Sequence, residues 1–151
     1  MSLKQWGNAT WDLLHTLSLK LRGGTPVESI QDAYGQLRAI ATNLPCPSCS
    51  QHATNELRRY PSHVDSVEGL ARVFWSLHNR VNERLGKPQV SWVECLELYR
   101  HKSPLEAARR YLIVGGLGPS GSRDLGDQWR RGRVRESFIM YLRKNAYRYI
   151  R

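Results

Sequence analysis

Leu44-Pro45-Cys46-Pro47-Ser48-Cys49-Ser50-Gln51-His52 places two cysteines three residues apart, with a proline directly after the first. Proline suits the first position of a helix, where its missing N–H costs nothing. The stretch therefore predicts a helix that opens with Cys46 at the cap and Cys49 in the first turn. There the unpaired N–H groups and the positive end of the helix dipole favour a thiolate. Two cysteines so placed close a small disulfide and reopen it cheaply, which is the geometry of a redox pair. Two other readings stand beside it. With His52 the pair is half a zinc site, or the cysteines are incidental. A structural zinc site wants four ligands in recognisable spacing. Cys95 has no cysteine two or three residues away, and His15, His63, His78 and His101 are scattered. Spacing favours the redox pair, assigns no metal ligand, and leaves all three readings open.

Working outward, the pattern around the pair is helical. Asn8-Ala9-Thr10 precedes Trp11, Leu14, Leu17, Ser18 and Leu21 at steps of three and four, an amphipathic helix ended by Gly23-Gly24. Thr25-Pro26 starts a second helix, from Val27 to about Asn43, with Ile30, Ala33, Leu37, Ile40 and Ala41 inward. The cysteine pair starts a third, which runs to Arg59 before Pro61. Asp65 or Ser66 caps a fourth, Val67 to Leu85, with the stripe Leu70, Val73, Phe74, Leu77, Val81, Leu85. Gly86-Lys87-Pro88 stops it. Beside that stripe lie His78, Asn79 and Asn82, either an exposed polar edge or the rim of a site for a planar aromatic cofactor. Ser91 opens a short fifth helix with Trp92, Cys95, Leu96 and Tyr99, and Ser103-Pro104 begins another turn or two to about Leu112. No strand, phosphate loop or repeat is legible. Helices with short connections make an all-α bundle.

The chain has 151 residues, one domain's worth, and three cysteines are too few for a disulfide-stapled scaffold. Its net charge of +10 is uneven: residues 118–151 hold nine Lys/Arg against three Asp/Glu. An acidic partner is the natural contact for that tail. Residues 113–126, rich in Gly, Ser and Pro, read as a linker between residues 1–112 and a basic helical extension, 127–151. That extension carries Val134, Phe138, Tyr141, Leu142 and Tyr149 on one face. It is either a docking helix or one folded back on the bundle. Trp129, Tyr141, Tyr147 and Tyr149 among its arginines also suit nucleic acid, so a zinc-binding or basic nucleic-acid-binding module is the alternative class of function. The polar amino terminus lacks the apolar core of a signal peptide, and the best apolar run, Tyr111 to Leu117, is far short of the roughly 20 residues of a membrane span. The expectation is a cytoplasmic protein.

A cysteine pair without a βαβ pattern is not thioredoxin-like. Three blocks instead resemble the Erv/ALR family of FAD-dependent sulfhydryl oxidases, in order and spacing. They are Gly7-Asn8-Ala9-Thr10-Trp11-Asp12-Leu13-Leu14-His15-Thr16, then Pro45-Cys46-Pro47-Ser48-Cys49, then Leu77-His78-Asn79-Arg80-Val81-Asn82-Glu83-Arg84-Leu85-Gly86-Lys87-Pro88. The resemblance covers roughly residues 6–100. It implies a four-helix bundle plus a short fifth helix, with FAD held beside the cysteine pair. Carried over by position, Gly7, Trp11 and His15 meet the cofactor from the first helix, and His78, Asn79, Val81 and Asn82 from the fourth. Lys87 meets the phosphate end, Tyr99 lies near the adenine, and Trp75 sits at a flavin-lining position where many members have cysteine. The resemblance makes Cys46 and Cys49 catalytic. Cys46 exchanges with dithiol protein substrates, Cys49 passes electrons to FAD, and O2 is reduced to H2O2. It further implies a homodimer. Two departures stand out: Asn8 replaces the family's usual arginine, and no second, shuttle cysteine pair is present. Small members without a shuttle look like those of large cytoplasmic DNA viruses, whose location is the host cytoplasm or the virion.

Overall fold

The computed structural model describes residues 3–60, 64–114 and 124–151. Among these residues seven α-helices follow one another: α1 (Leu3–Leu19), α2 (Val27–Ala41), α3 (Pro47–Leu57), α4 (Val67–Arg84), α5 (Trp92–Tyr99), α6 (Pro104–Val114) and α7 (Leu125–Asn145). A 3-10 turn, Ala146–Arg148, follows α7. The all-α expectation holds. Among the described residues the extended pairing is a lone antiparallel bridge between Leu21 and Tyr149.

Local capping sets the helix starts. Cys46 caps α3 with Pro47 in the first turn, and its sulfur accepts the Cys49 N–H at 3.3 Å. Ser66 caps α4 through the Gly69 N–H. Ser91 and Glu94 form a reciprocal capping box on α5. Gly86, at φ +69°, ends α4 in the left-handed region where a Cβ is disfavoured, and the Lys87 N–H turns back to the Asn82 carbonyl at 2.8 Å.

The apolar faces of α1 to α4 meet in one core that includes Leu13, Leu14 and Leu17, Leu37 and Ile40, Leu57, and Leu70, Phe74 and Leu77. Three expectations need correcting. First, α1 begins at Leu3, because Ala9 and Thr10 are buried in the fold rather than standing before it, and the Thr10 hydroxyl donates to the Trp6 carbonyl one turn back. It ends at Leu19, since Leu21 leaves the helix to pair with Tyr149. Second, α6 runs two residues past the expected Leu112, to Val114, and buries Pro104, Ala107, Ala108 and Tyr111. Those mostly small side chains let it lie close along α1. Third, Leu85, expected at the end of the α4 stripe, is the exposed C-cap.

Of the two readings of the basic tail, the structure has the helix folded back, packed against α2. Phe138 is fully buried and meets Tyr111 edge-on, with ring centres 6.0 Å apart. Tyr141 and Tyr149 share a buried hydroxyl contact of 2.6 Å. Gln36 of α2 donates to Ser137, and Arg135 donates to the Leu112 carbonyl at the end of α6. The stretch expected as a linker overlaps α6, which reaches Val114, and α7, which Asp124 caps; residues 115–123 lie outside the described residues.

Candidate active site

The site grows from the carboxyl end of α4. On one side Arg84 donates to the carbonyl of Ser48, one of the two residues between the cysteines, at 3.4 Å. That contact ties the start of α3 to α4, and the Arg80–Glu56 ion pair at 3.5 Å repeats the tie further along. Cys46 and Cys49 are joined in a disulfide and both are half-buried. The loop before them is pinned by Ser50, whose hydroxyl accepts the Leu44 N–H at 2.7 Å and donates to its carbonyl. One turn into α3, His52 sits 3.7 Å from Glu56; burial, then the Arg84 charge, lower its pKa.

On the other side residues of α1, α4, α5 and α6 line a cleft of about 390 Å³. Trp11, His78, Val81, Asn82, Lys87 and Tyr99 line it, six of the ten residues expected at a cofactor. The Trp11 and His78 rings stack almost parallel, with centres 3.9 Å apart. His15 lies beneath, fully buried, with Nε2 2.8 Å from His78 Nδ1 and its ring stacked on Tyr99 at 4.4 Å. The thiol of Cys95 is 3.7 Å from His15 Nδ1.

Burial dominates the charge states here. It lowers His15 to about 3, with the His78 and Lys102 charges adding, and His78 to about 4, with Lys87 adding. The two imidazoles are therefore neutral and share a hydrogen bond in which one donates. Burial also pushes the Cys95 thiol up to about 11 and raises Tyr99 well above an ordinary phenol. The floor of the cleft is aromatic and uncharged.

Three expected residues lie elsewhere. Asn79 both donates to the Val90 carbonyl and accepts its N–H, each at 2.8 Å, and the Trp75 indole donates to that carbonyl. Trp75 also meets Trp92 edge-on at 5.6 Å. The two residues clasp the loop ahead of α5 and line a separate hollow of about 630 Å³. Gly7 is half-buried on α1, one residue before the cleft-lining Asn8. Sequence reasoning missed Asp12, Lys102 and Arg110, which line the cleft together. Nothing in their spacing signalled it, because chain folding alone brings them to one place.

The chain resembles known proteins over the helices that carry this site. A model of the Erv1 / Alr family matches residues 8–101. A protein of Invertebrate iridescent virus 3 is 33% identical over 107 residues, 70% of this chain and 72% of the relative. The FAD-linked sulfhydryl oxidase of African swine fever virus is 28% identical over 94 residues, 62% of this chain and 79% of its own. The FAD-linked sulfhydryl oxidase ERV1 of Oryza sativa is 30% identical over 88 residues, 58% of this chain and 45% of its own. No solved structure matches. With the cysteine pair at the head of α3 and the aromatic cleft within the matched residues, the chain belongs to the Erv1/Alr family.

Proposed function

We propose that this chain is an FAD-linked sulfhydryl oxidase that makes disulfides in dithiol proteins. One observation carries the reading: a disulfide-closed Cys-x-x-Cys pair opens a helix that is tied through Arg84 to the same end of α4 that lines an aromatic cleft. The donor set of that cleft fits the cofactor. Trp11 and Tyr99 offer aromatic faces, Asn82 a hydrogen-bonding amide, and Lys87 a cation for phosphate, over a neutral imidazole floor. Its volume lies in the range of small-molecule sites. Bound there, FAD supplies a two-electron acceptor that O2 reoxidises with release of H2O2.

The chain's own residues do the thiol chemistry. A substrate thiolate attacks Cys46 Sγ, the S–S bond breaks, and Cys49 leaves as a thiolate at the positive end of α3. A second substrate thiol resolves the mixed disulfide, releases Cys46 and departs as a disulfide. With FAD bound, Cys49 would be the thiolate that yields the pair's two electrons, and the Cys46–Cys49 bond would re-form. His15 and His78, held neutral, keep positive charge off the cleft floor.

The finer parts of this reading are a homodimer, residues 1–112 as the oxidase proper, and a basic tail that meets an acidic partner. Among the described residues no helix is long and apolar enough to cross a membrane.

The test is Cys49→Ser. The variant is expected to fold and stay yellow while dithiol oxidation falls to background. Oxidation of dithiothreitol at the wild-type rate would overturn the assignment.

A further inference from the structure

Asp12 stands on α1 with its carboxylate 18% exposed, and it holds two cations at once. Oδ1 is 2.7 Å from Lys102 Nζ, and Oδ2 is 2.9 Å from Arg110 Nη1. A tie between α1 and α6 needs one cation. The second leaves a surplus of positive charge, and all three side chains face the cleft that Lys87 enters from the end of α4. One carboxylate against three cations gives that wall a net charge of +2. Lys102 Nζ also lies 5.2 Å above the Tyr99 ring, so the surplus charge sits beside an aromatic face. Both cations keep more than two fifths of their side chains accessible, enough to meet a ligand without breaking the fold. Asn8, on the same cleft, contributes no charge.

We propose that Lys102 and Arg110, held by Asp12, form the diphosphate-binding edge of the cleft opposite Lys87. The inference rests on the FAD reading above and extends it to residues beyond the 8–101 family match. A diphosphate carries about the charge that balances this wall. The planar guanidinium of Arg110 suits paired phosphate oxygens, while Lys102 acts as a point charge. α6 thereby becomes part of the binding site, because its packing along α1 is what delivers Arg110.

The experiment follows flavin release from the purified holoprotein on dilution, read as the rise in flavin fluorescence at several salt concentrations. Lys102→Gln and Arg110→Gln should each release FAD about three- to fivefold faster at low salt, the upper range for one half-exposed charged contact. The double variant should be faster still, and all curves should converge as salt screens the wall. Arg110→Lys should recover the salt-dependent part of the loss but not the part that rests on paired contacts to two phosphate oxygens. Release within twofold of wild type at low salt would overturn the proposal. So would faster release that is the same at every salt, which marks a packing defect. Flavin-free wild-type protein would instead sink the oxidase reading itself, a result distinct from either.

Discussion

His15 shows how a single residue reports the state of the site. It is fully buried, yet its ring nitrogens face His78 and Cys95 rather than water. With folded values of about 3 for His15 and about 4 for His78, both lie well below the ordinary 6.5 of an unfolded imidazole. Between those limits the unfolded chain binds more protons than the folded one. Stability is therefore whole above pH 6.5 and falls as pH drops, until the folded values are passed. Each histidine contributes a slope of up to about 1.4 kcal/mol per pH unit. Urea midpoints at pH 7 and pH 5 should differ accordingly, and His78→Asn should flatten the dependence. Equal midpoints for wild type would mean the pair is not held neutral. The same residue explains what spacing left open: His15 and His78 could be named as candidates, but 63 positions apart in sequence, their direct contact could not.

At the scale of elements, what is local was legible and what is long-range was not. Cys46 with Pro47, and Ser66 and Ser91 with the turns after them, are capping signals contained in four residues, and each sits where it was expected. The start of α1 was obscured because Asn8 and Thr10 resemble helix-start residues, while Ala9 and Thr10 are buried inside the helix. The length of α6 was obscured because its inner face is largely alanine, a weak apolar signal with a strong packing consequence. Asn79 is the instructive case. Position placed it at the cofactor; the fold gives both ends of its amide to the Val90 backbone. Asn79→Ala should cost about 1–3 kcal/mol, since it strips two partners from a half-buried peptide. A denaturation midpoint and the flavin release rate should be measured on one sample. A lowered midpoint with slow release supports the clasp. An unchanged midpoint with fast release would return Asn79 to the cofactor.

For the whole molecule, the basic tail has two faces with separate consequences. Sequence could not choose between docking outward and folding back, because arginines interrupt the apolar spacing. One of them, Arg131, lies on the inner face and is accommodated by Asp127 at 3.2 Å. The inner face stabilises the bundle: Phe138→Ala should cost about 3–5 kcal/mol, the range for an emptied aromatic site. The outer face holds Arg133 over Trp129 and Arg148 over Tyr147, with those two aromatic rings 67% and 65% exposed. Replacing the exposed Arg133, Arg143 and Lys144 by glutamate takes residues 118–151 from a net charge of +6 to zero while leaving Phe138 and Tyr141 in place. If the tail meets an acidic partner, wild type should be retained on heparin and elute only at raised salt, as charge-driven binding requires. The triple variant should then pass through unretained with its melting temperature unchanged. Equal elution of the two proteins would move the charge contact off α7, and a lowered melting temperature would make these cations part of the fold.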